Sequence, residues 1–273
     1  MNPLGSEAQS RAALPMLNRF DAPAHWRAID FISDLHLTAA MPATYAACMD
    51  YLHSSCADAV FILGDLFELW VGDDARAGAF ERRCAEVLVE ASSGKHLSFM
   101  VGNRDFLLGQ EMLAACGLTA LPDPTVLAAF GTRVLLTHGD MLCLDDAPYQ
   151  AFRTLVRSAA WQRPFLARPL PERLAIAAEI RAHSESRRQF EGASDADIDK
   201  PTAITWLRDV QASCLIHGHT HRPGDQFLAP GLPRHVLSDW DVDSPIGARA
   251  EVLRWTRDGM MRLAPTRAHL MHG

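Results

Sequence analysis

The sequence predicts an α/β protein with a largely parallel sheet, a second sheet packed on the first, and a helical insertion. Three observations predict it. From residue 28 onward short β-branched or aromatic runs alternate with helix-length segments, the 234–263 stretch returns to strand-like runs, and residues 150–190 interrupt the rhythm. The chain has 273 residues, 48% apolar and 22% charged, which excludes a disordered or collagen-like protein. Its net charge of −7 excludes an overall basic surface, so nucleic acid is not an expected partner.

The expected strands are 28–33 (AIDFIS), 58–63 (DAVFIL), 96–101 (HLSFMV), 132–137 (TRVLLT) and 213–217 (SCLIH). Helices are expected around 42–56 and 79–93, where apolar residues such as Cys48, Met49 and Leu52 recur near helical spacing. The C-terminal strands (HVLSDW, ARAEVLRW, MMRL) are expected to build the second sheet. Residues 1–24 carry Pro3, Gly5, Ser6, Pro15 and Pro23 without a sustained apolar run, and are expected to be a flexible leader before a domain spanning 25–273.

The insertion, at about 147–200, is the compositional anomaly. Between 150 and 190 there are eight Arg and three acids, a net +5 that leaves −12 for the rest. Apolar residues follow helical spacing there, and Pro164, Pro169 and Pro171 are expected to divide the run into two or more helices. A solvated Arg face is the ordinary meaning of such a run. A cap that receives an anionic, acylated ligand or leans on a lipid surface is the sharper one. Trp161 and Phe165 can line an acyl tunnel, but at helical spacing packing is the commoner use.

The six cysteines form no C-x-x-C pair, which reads as buried, reduced core thiols and hence a cytoplasmic protein. No run of 18 apolar residues exists, so nothing is expected to span a membrane.

Five segments place metal-capable side chains directly after an expected strand: Asp34-Leu35-His36, Gly64-Asp65, Gly102-Asn103-Arg104-Asp105, His138-Gly139-Asp140 and Gly218-His219-Thr220-His221. A lone D-x-H or H-x-H is ordinarily a cap or a surface pair. Five such segments at strand exits are hard to explain that way, because strand ends of one sheet converge on one rim. Asp34, His36, Asp65, Asn103, His138, His219 and His221 are seven donors, too many for one four-coordinate ion and suited to two ions sharing a carboxylate. Imidazole, carboxylate and amide without thiolate favour Mn(II), Fe or Zn. Two divalent ions against two aspartates leave the site about +2, suited to an anionic substrate.

In this order the motifs D-x-H, G-D-x-x-E, G-N-x-D, H-G-D and G-H-x-H resemble the calcineurin-like metallophosphoesterases. The resemblance implies an αββα sandwich with a helical cap, one metal on Asp34, His36, Asp65 and His221, and another on Asp65, Asn103, His138 and His219. His217 is then a structural strand residue. Arg104 stands where many members carry His, which can protonate an alcohol leaving group. Arginine gives up no proton at working pH but offers a planar fork to phosphate oxygens. An alkoxide, like water with its pKa about 15.7, leaves poorly without an acid. A phosphate group, whose second pKa is about 6, does not need one. Cleavage of a pyrophosphate, rather than of a simple monoester or nucleic-acid diester, is the expectation, with water or another residue as the alternative source of an acid.

A closer resemblance agrees. ILGDLFELWVGDD (62–74), VGNRDFLLG (101–109), LTHGDMLCLDDAPYQAFR (136–153) and LIHGHTHRP (215–223) are similar to the UDP-2,3-diacylglucosamine diphosphatase family of lipid A biosynthesis. That resemblance implies two Mn(2+) per subunit and attack of a metal-bound hydroxide on the phosphorus nearer uridine. UMP and 2,3-diacylglucosamine 1-phosphate are the products. Asn103, Arg104 and His138 become the catalytic residues, and Asn103, Arg104, Asp146, Ser184 and His219 the substrate contacts. Arg188 stands where the family has an Asn, and Glu191 where it has a Lys, with Arg187 or Lys200 as other compensating cations. The implied location is the cytoplasmic face of the inner membrane, held peripherally, with no obligate protein partner. A two-metal phosphoesterase for another nucleotide, a phosphoprotein or nucleic acid is the alternative, and a non-catalytic scaffold a third reading. Glu68 is read as a supporting carboxylate rather than a ligand, and Asp73, Asp74, Asp105 and Asp140 as residues that orient loops or imidazoles. The remaining histidines (25, 53, 96, 183, 235, 269 and 272) are given surface or structural places.

Overall fold

Runs in which every side chain is buried make the central strands, and period-two alternation sends successive residues to opposite cores. The computed structural model describes residues 14–15, 18–191 and 197–270, side chains excepted over 183–191. In chain order the elements are β1 (Asn18–Asp21), β2 (Ala28–Ile32), α1 (Pro42–Ser54), β3 (Ala59–Leu63), α2 (Ala79–Gly94), β4 (His96–Met100), α3 (Gln110–Ala115), β5 (Thr119–Ala120), β6 (Thr125–Ala129) and β7 (Thr132–Thr137). There follow α4 (Ala147–Val156), α5 (Ala159–Leu166), α6 (Leu170–Glu191), α7 (Lys200–Asp209), β8 (Leu215–His217), β9 (Gly224–Ala229), β10 (Leu232–Val236), β11 (Val252–Thr256) and β12 (Gly259–Leu263).

Two six-stranded sheets result, ordered β12-β11-β2-β3-β4-β5 and β1-β6-β7-β8-β10-β9. Between them pack Ile29, Phe31, Phe61 and Leu63 of the first and Leu127, Val134, Leu136 and Ile216 of the second. Ile32, Val60, Ile62 and Phe99 face outward onto residues of α1, α2 and α3, such as Cys48, Leu52, Leu88 and Met112. Val126, Leu135 and Leu215 face Trp206 and Leu207 of α7 on the far side. The layers are therefore αββα, as expected.

The division of strands differs from expectation. β11 and β12 join the first sheet, with β11 antiparallel to β2, while β7, β8 and β10 make the second. The buried pair Arg254–Asp30 sets this choice. Arg254 Nε donates to Asp30 Oδ1 at 2.7 Å and its NH2 to Oδ2 at 2.9 Å, and Tyr51 Oη and Ser55 Oγ also donate to Oδ2. A buried carboxylate requires such partners, and β11 beside β2 supplies the cationic one.

Residues 18–24, read as leader, carry structure. β1 pairs in parallel with β6, and Phe20 packs on Trp26 and edge-on to Phe61. The apolar ring, not the flanking prolines, decides the matter; residues 1–13 lie outside the described residues. In the insertion the helix breaks fall at 157–158 and 167–169, and Pro164 sits inside the last turn of α5. Ser158 Oγ accepts the Trp161 N–H, so an N-cap rather than a proline starts α5. Trp161 and Phe165 stack on one another at 4.5 Å, with Phe165 buried, which is packing.

Candidate metal centre

β2, β3 and β4 run parallel to one another, as do β7 and β8. Their carboxyl ends meet along one edge of the sandwich, and each delivers one motif. The turns are cross-linked by backbone: Asp34 N–H donates to Gly64 O at 3.1 Å, His36 N–H to Asp65 O at 3.0 Å, and Gly218 N–H to His138 O at 3.0 Å.

Five of the seven expected donors sit at positive φ: Asp34, His36, Asp65, His219 and His221, at 48° to 65°. For non-glycine residues that conformation carries strain, and strain of this kind gathers at functional sites. The motif glycines give room for it. A Cβ on Gly102 would collide with the Asp65 carboxylate, and one on Gly218 with Ser33 and Asp34.

The donor atoms converge. Asn103 Oδ1 lies 2.8 Å from His219 Nδ1 and 3.0 Å from His138 Nε2. His36 Nε2 faces His221 Nε2 at 3.3 Å, and His221 Nε2 is 3.4 Å from Asp34 Oδ1. Asp65 Oδ2 stands between the two groups, 3.9 Å from His36 Nε2 and 3.7 Å from His138 Nε2. Asp34, His36 and His221 form one set of mutually close donors, and Asp34, Asp65 and His138 another. Imidazole nitrogens, carboxylate oxygens and an amide oxygen crowded at these distances, with no thiolate among them, form a donor set that fits divalent cations. His138 is orientated for this: its Nδ1 lies 2.8 Å from Leu63 O, which turns Nε2 toward the cluster. Although burial opposes it, Asp65, Asp34 and Asp140 push the His138 pKa up to about 9, the mark of a place that attracts positive charge.

His217, two residues before His219, is excluded by its partners. Its Nδ1 faces Gly218 O at 2.8 Å, and Arg234 Nε donates to its Nε2 at 2.8 Å. Burial, then Arg234, pull its pKa down to about 4, so it is a neutral structural ring.

A family profile described as calcineurin-like phosphoesterase matches residues 28–223. The chain belongs to the calcineurin-like phosphoesterase family. Three relatives are named UDP-2,3-diacylglucosamine hydrolase. That of Ralstonia nicotianae is 43% identical, covering 96% of this chain and all of its own. That of Aromatoleum aromaticum is 42% identical over 84% of this chain and 93% of its own. That of Bordetella pertussis is 40% identical over 84% and 91%.

In this phosphoesterase the structure brings all seven expected donors, and Arg104, to one edge. Arg104 N–H donates to Asp65 Oδ1 at 2.8 Å, which ties the Arg to that carboxylate. Asp146 is the N-cap of α4, its Oδ1 accepting from Tyr149 N at 3.0 Å. The side chains of Ser184 and Arg188 lie outside the described residues. Asp105 accepts backbone N–H groups from Leu66 and Gly102, both at 2.8 Å, and so shapes the turns that carry Asp65 and Asn103. Asp73 accepts from the N–H of Gly109 and Met112 in the same manner.

Sequence reasoning missed the inward arginines. Asp140, fully buried, accepts from Tyr149 Oη at 2.7 Å, Arg153 Nε at 2.8 Å and Arg157 NH2 at 3.3 Å. Arg157 NH2 also donates to Gly102 O at 2.8 Å, and Arg173 is held by Val71 O and Asp74. The signal was available: Tyr149, Arg153 and Arg157 are spaced i, i+4, i+8 and share one helix face.

Proposed function

We propose that this phosphoesterase hydrolyses the diphosphate of UDP-2,3-diacylglucosamine to UMP and 2,3-diacylglucosamine 1-phosphate, a step toward lipid A. The observation that carries the reading is Asp65 Oδ2, set between His36 and His138 in a chain whose full-length relatives share that substrate name. One ion would be held by Asp34, His36, Asp65 and His221 and a second by Asp65, Asn103, His138 and His219, with Mn(II) as the ion of this reading. When bound, such a pair supplies a nucleophile near neutral pH and a positive clamp on phosphoryl oxygens.

The chain's own residues do the rest. His138, fixed by Leu63, and Asn103 keep their donor atoms aimed at one point. Arg104 binds phosphate oxygens through its guanidinium and gives up no proton, which suits a phosphate leaving group. The attacked phosphorus is the one nearer uridine. Asp146, Ser184, Arg188 and His219 contact the substrate, with the cap over the acylated sugar. The cap also exposes Leu155, Leu166 and Leu174 beside its arginines, which supports peripheral contact with the inner membrane. Among the described residues no helix is long and apolar enough to cross one. No obligate protein partner is part of this reading.

The test is to incubate Mn-loaded protein with UDP-2,3-diacylglucosamine and assay UMP. Release of UMP is expected. An intact substrate alongside cleavage of a small chromogenic phosphodiester would overturn the substrate assignment in favour of another two-metal phosphoesterase.

A further inference from the structure

Glu68 joins three parts of the molecule that are far apart in sequence. Its Oε1 lies 2.7 Å from NH1 of Arg181 on α6 and 3.9 Å from NH1 of Arg104. Its Oε2 is 2.8 Å from His36 Nδ1, without the alignment of a full hydrogen bond. The side chain is 16% exposed, so the carboxylate is screened only weakly by water. Two guanidiniums brought to one place repel each other, and a carboxylate between them offsets that repulsion. Among the described residues the buried Arg104 Nε has no acceptor, leaving donor capacity on that guanidinium.

We propose that Glu68 is a positioning residue: it holds Arg104 and Arg181 together before substrate arrives, so that the cap and the metal edge present both guanidiniums to the diphosphate. This rests on the diphosphatase reading above. The gain is preorganisation, because the arginines need not be gathered and desolvated when substrate binds. A role exerted only through His36 would act on metal affinity instead, and the two separate by experiment.

Glu68→Gln, Glu68→Ala, Arg181→Ala and the Glu68→Ala/Arg181→Ala double variant are assayed with UDP-2,3-diacylglucosamine at saturating Mn(II). Amide exchange over residues 173–182 and bound metal are measured without substrate. Glu68→Ala is expected to raise KM about tenfold with kcat within about threefold, and Glu68→Gln, which keeps size and packing, to raise it less. The double variant is expected to lose less than the product of the two single losses, since Glu68 and Arg181 act in part as one unit while Glu68 also holds Arg104. Exchange over 173–182 is expected to quicken in Glu68→Ala with bound metal unchanged. Unchanged exchange with additive kinetic losses overturns the proposal, as does metal loss with KM unaltered. If the wild type releases no UMP, the diphosphatase reading fails by itself, and the exchange comparison still decides whether Glu68 holds α6.

Discussion

Arg153 Nε donates to Asp140 Oδ2 across 2.8 Å, and through that bond the helical insertion is tied to the loop that carries His138. Asp140 has no exposed surface, and Arg153 is 16% exposed. Arg153→Ala therefore leaves a buried carboxylate short of one of its two cationic partners and is expected to cost about 3 kcal/mol. Arg168→Ala, which breaks only an exposed pair with Glu172, is expected to cost less than about 0.5 kcal/mol. Denaturant midpoints of the two variants check the contrast.

Gly102→Ala tests the close approach beneath Asp65. The added methyl meets Asp65 N at 2.5 Å and Cγ at 2.7 Å, neither of which is a flexible chain end. A loss of about 2 kcal/mol and a fall in metal affinity of more than about tenfold are expected. Gly94→Ala, at the end of α2 with open space around it, is expected to be neutral or slightly stabilising. Calorimetry and metal titration measure both.

Replacing Arg104 by His tests the leaving-group argument. Arg104→His is expected to lower kcat/KM on the lipid diphosphate by about 10²-fold and to raise the relative rate on a dialkyl phosphodiester. The ratio of kcat/KM for the two substrates is the readout, and an unchanged ratio would contradict the argument.

These predictions draw on features of unequal visibility in the sequence. The strands were legible because AIDFI and AVFIL are short β-branched and aromatic runs alternating with helix-length segments, and the burial of every side chain in both agrees with central strands. The seven donors were legible because each follows such a run. Strand partition was not, since β11 finds β2 through Arg254 and Asp30, separated by 224 positions, and no local pattern encodes that pairing. The insertion's arginines looked like a solvated face because their acids, Asp140, Asp74 and Glu68, lie outside the insertion. Only the assembled fold brings them together.

His96 gives a pH dependence remote from the metal edge. It packs among Phe20, Trp26 and Phe61, and burial lowers its pKa. Below the unfolded value, about 6.5, the unfolded chain binds the proton that the folded ring resists. This contribution is complete above that value and is lost as pH falls through it toward the lower folded pKa. His96→Phe is expected to show a smaller loss of stability between pH 7.5 and 5.5 than the wild type, measured by urea midpoints.

The account stands on a pair of cations gathered by side chains that run from Asp34 to His221. Metal content per chain after saturation with Mn(II) and removal of free ion tests it most directly. The account predicts two ions in the wild type and a loss from both positions in Asp65→Ala. A single ion at saturation in the wild type would contradict it.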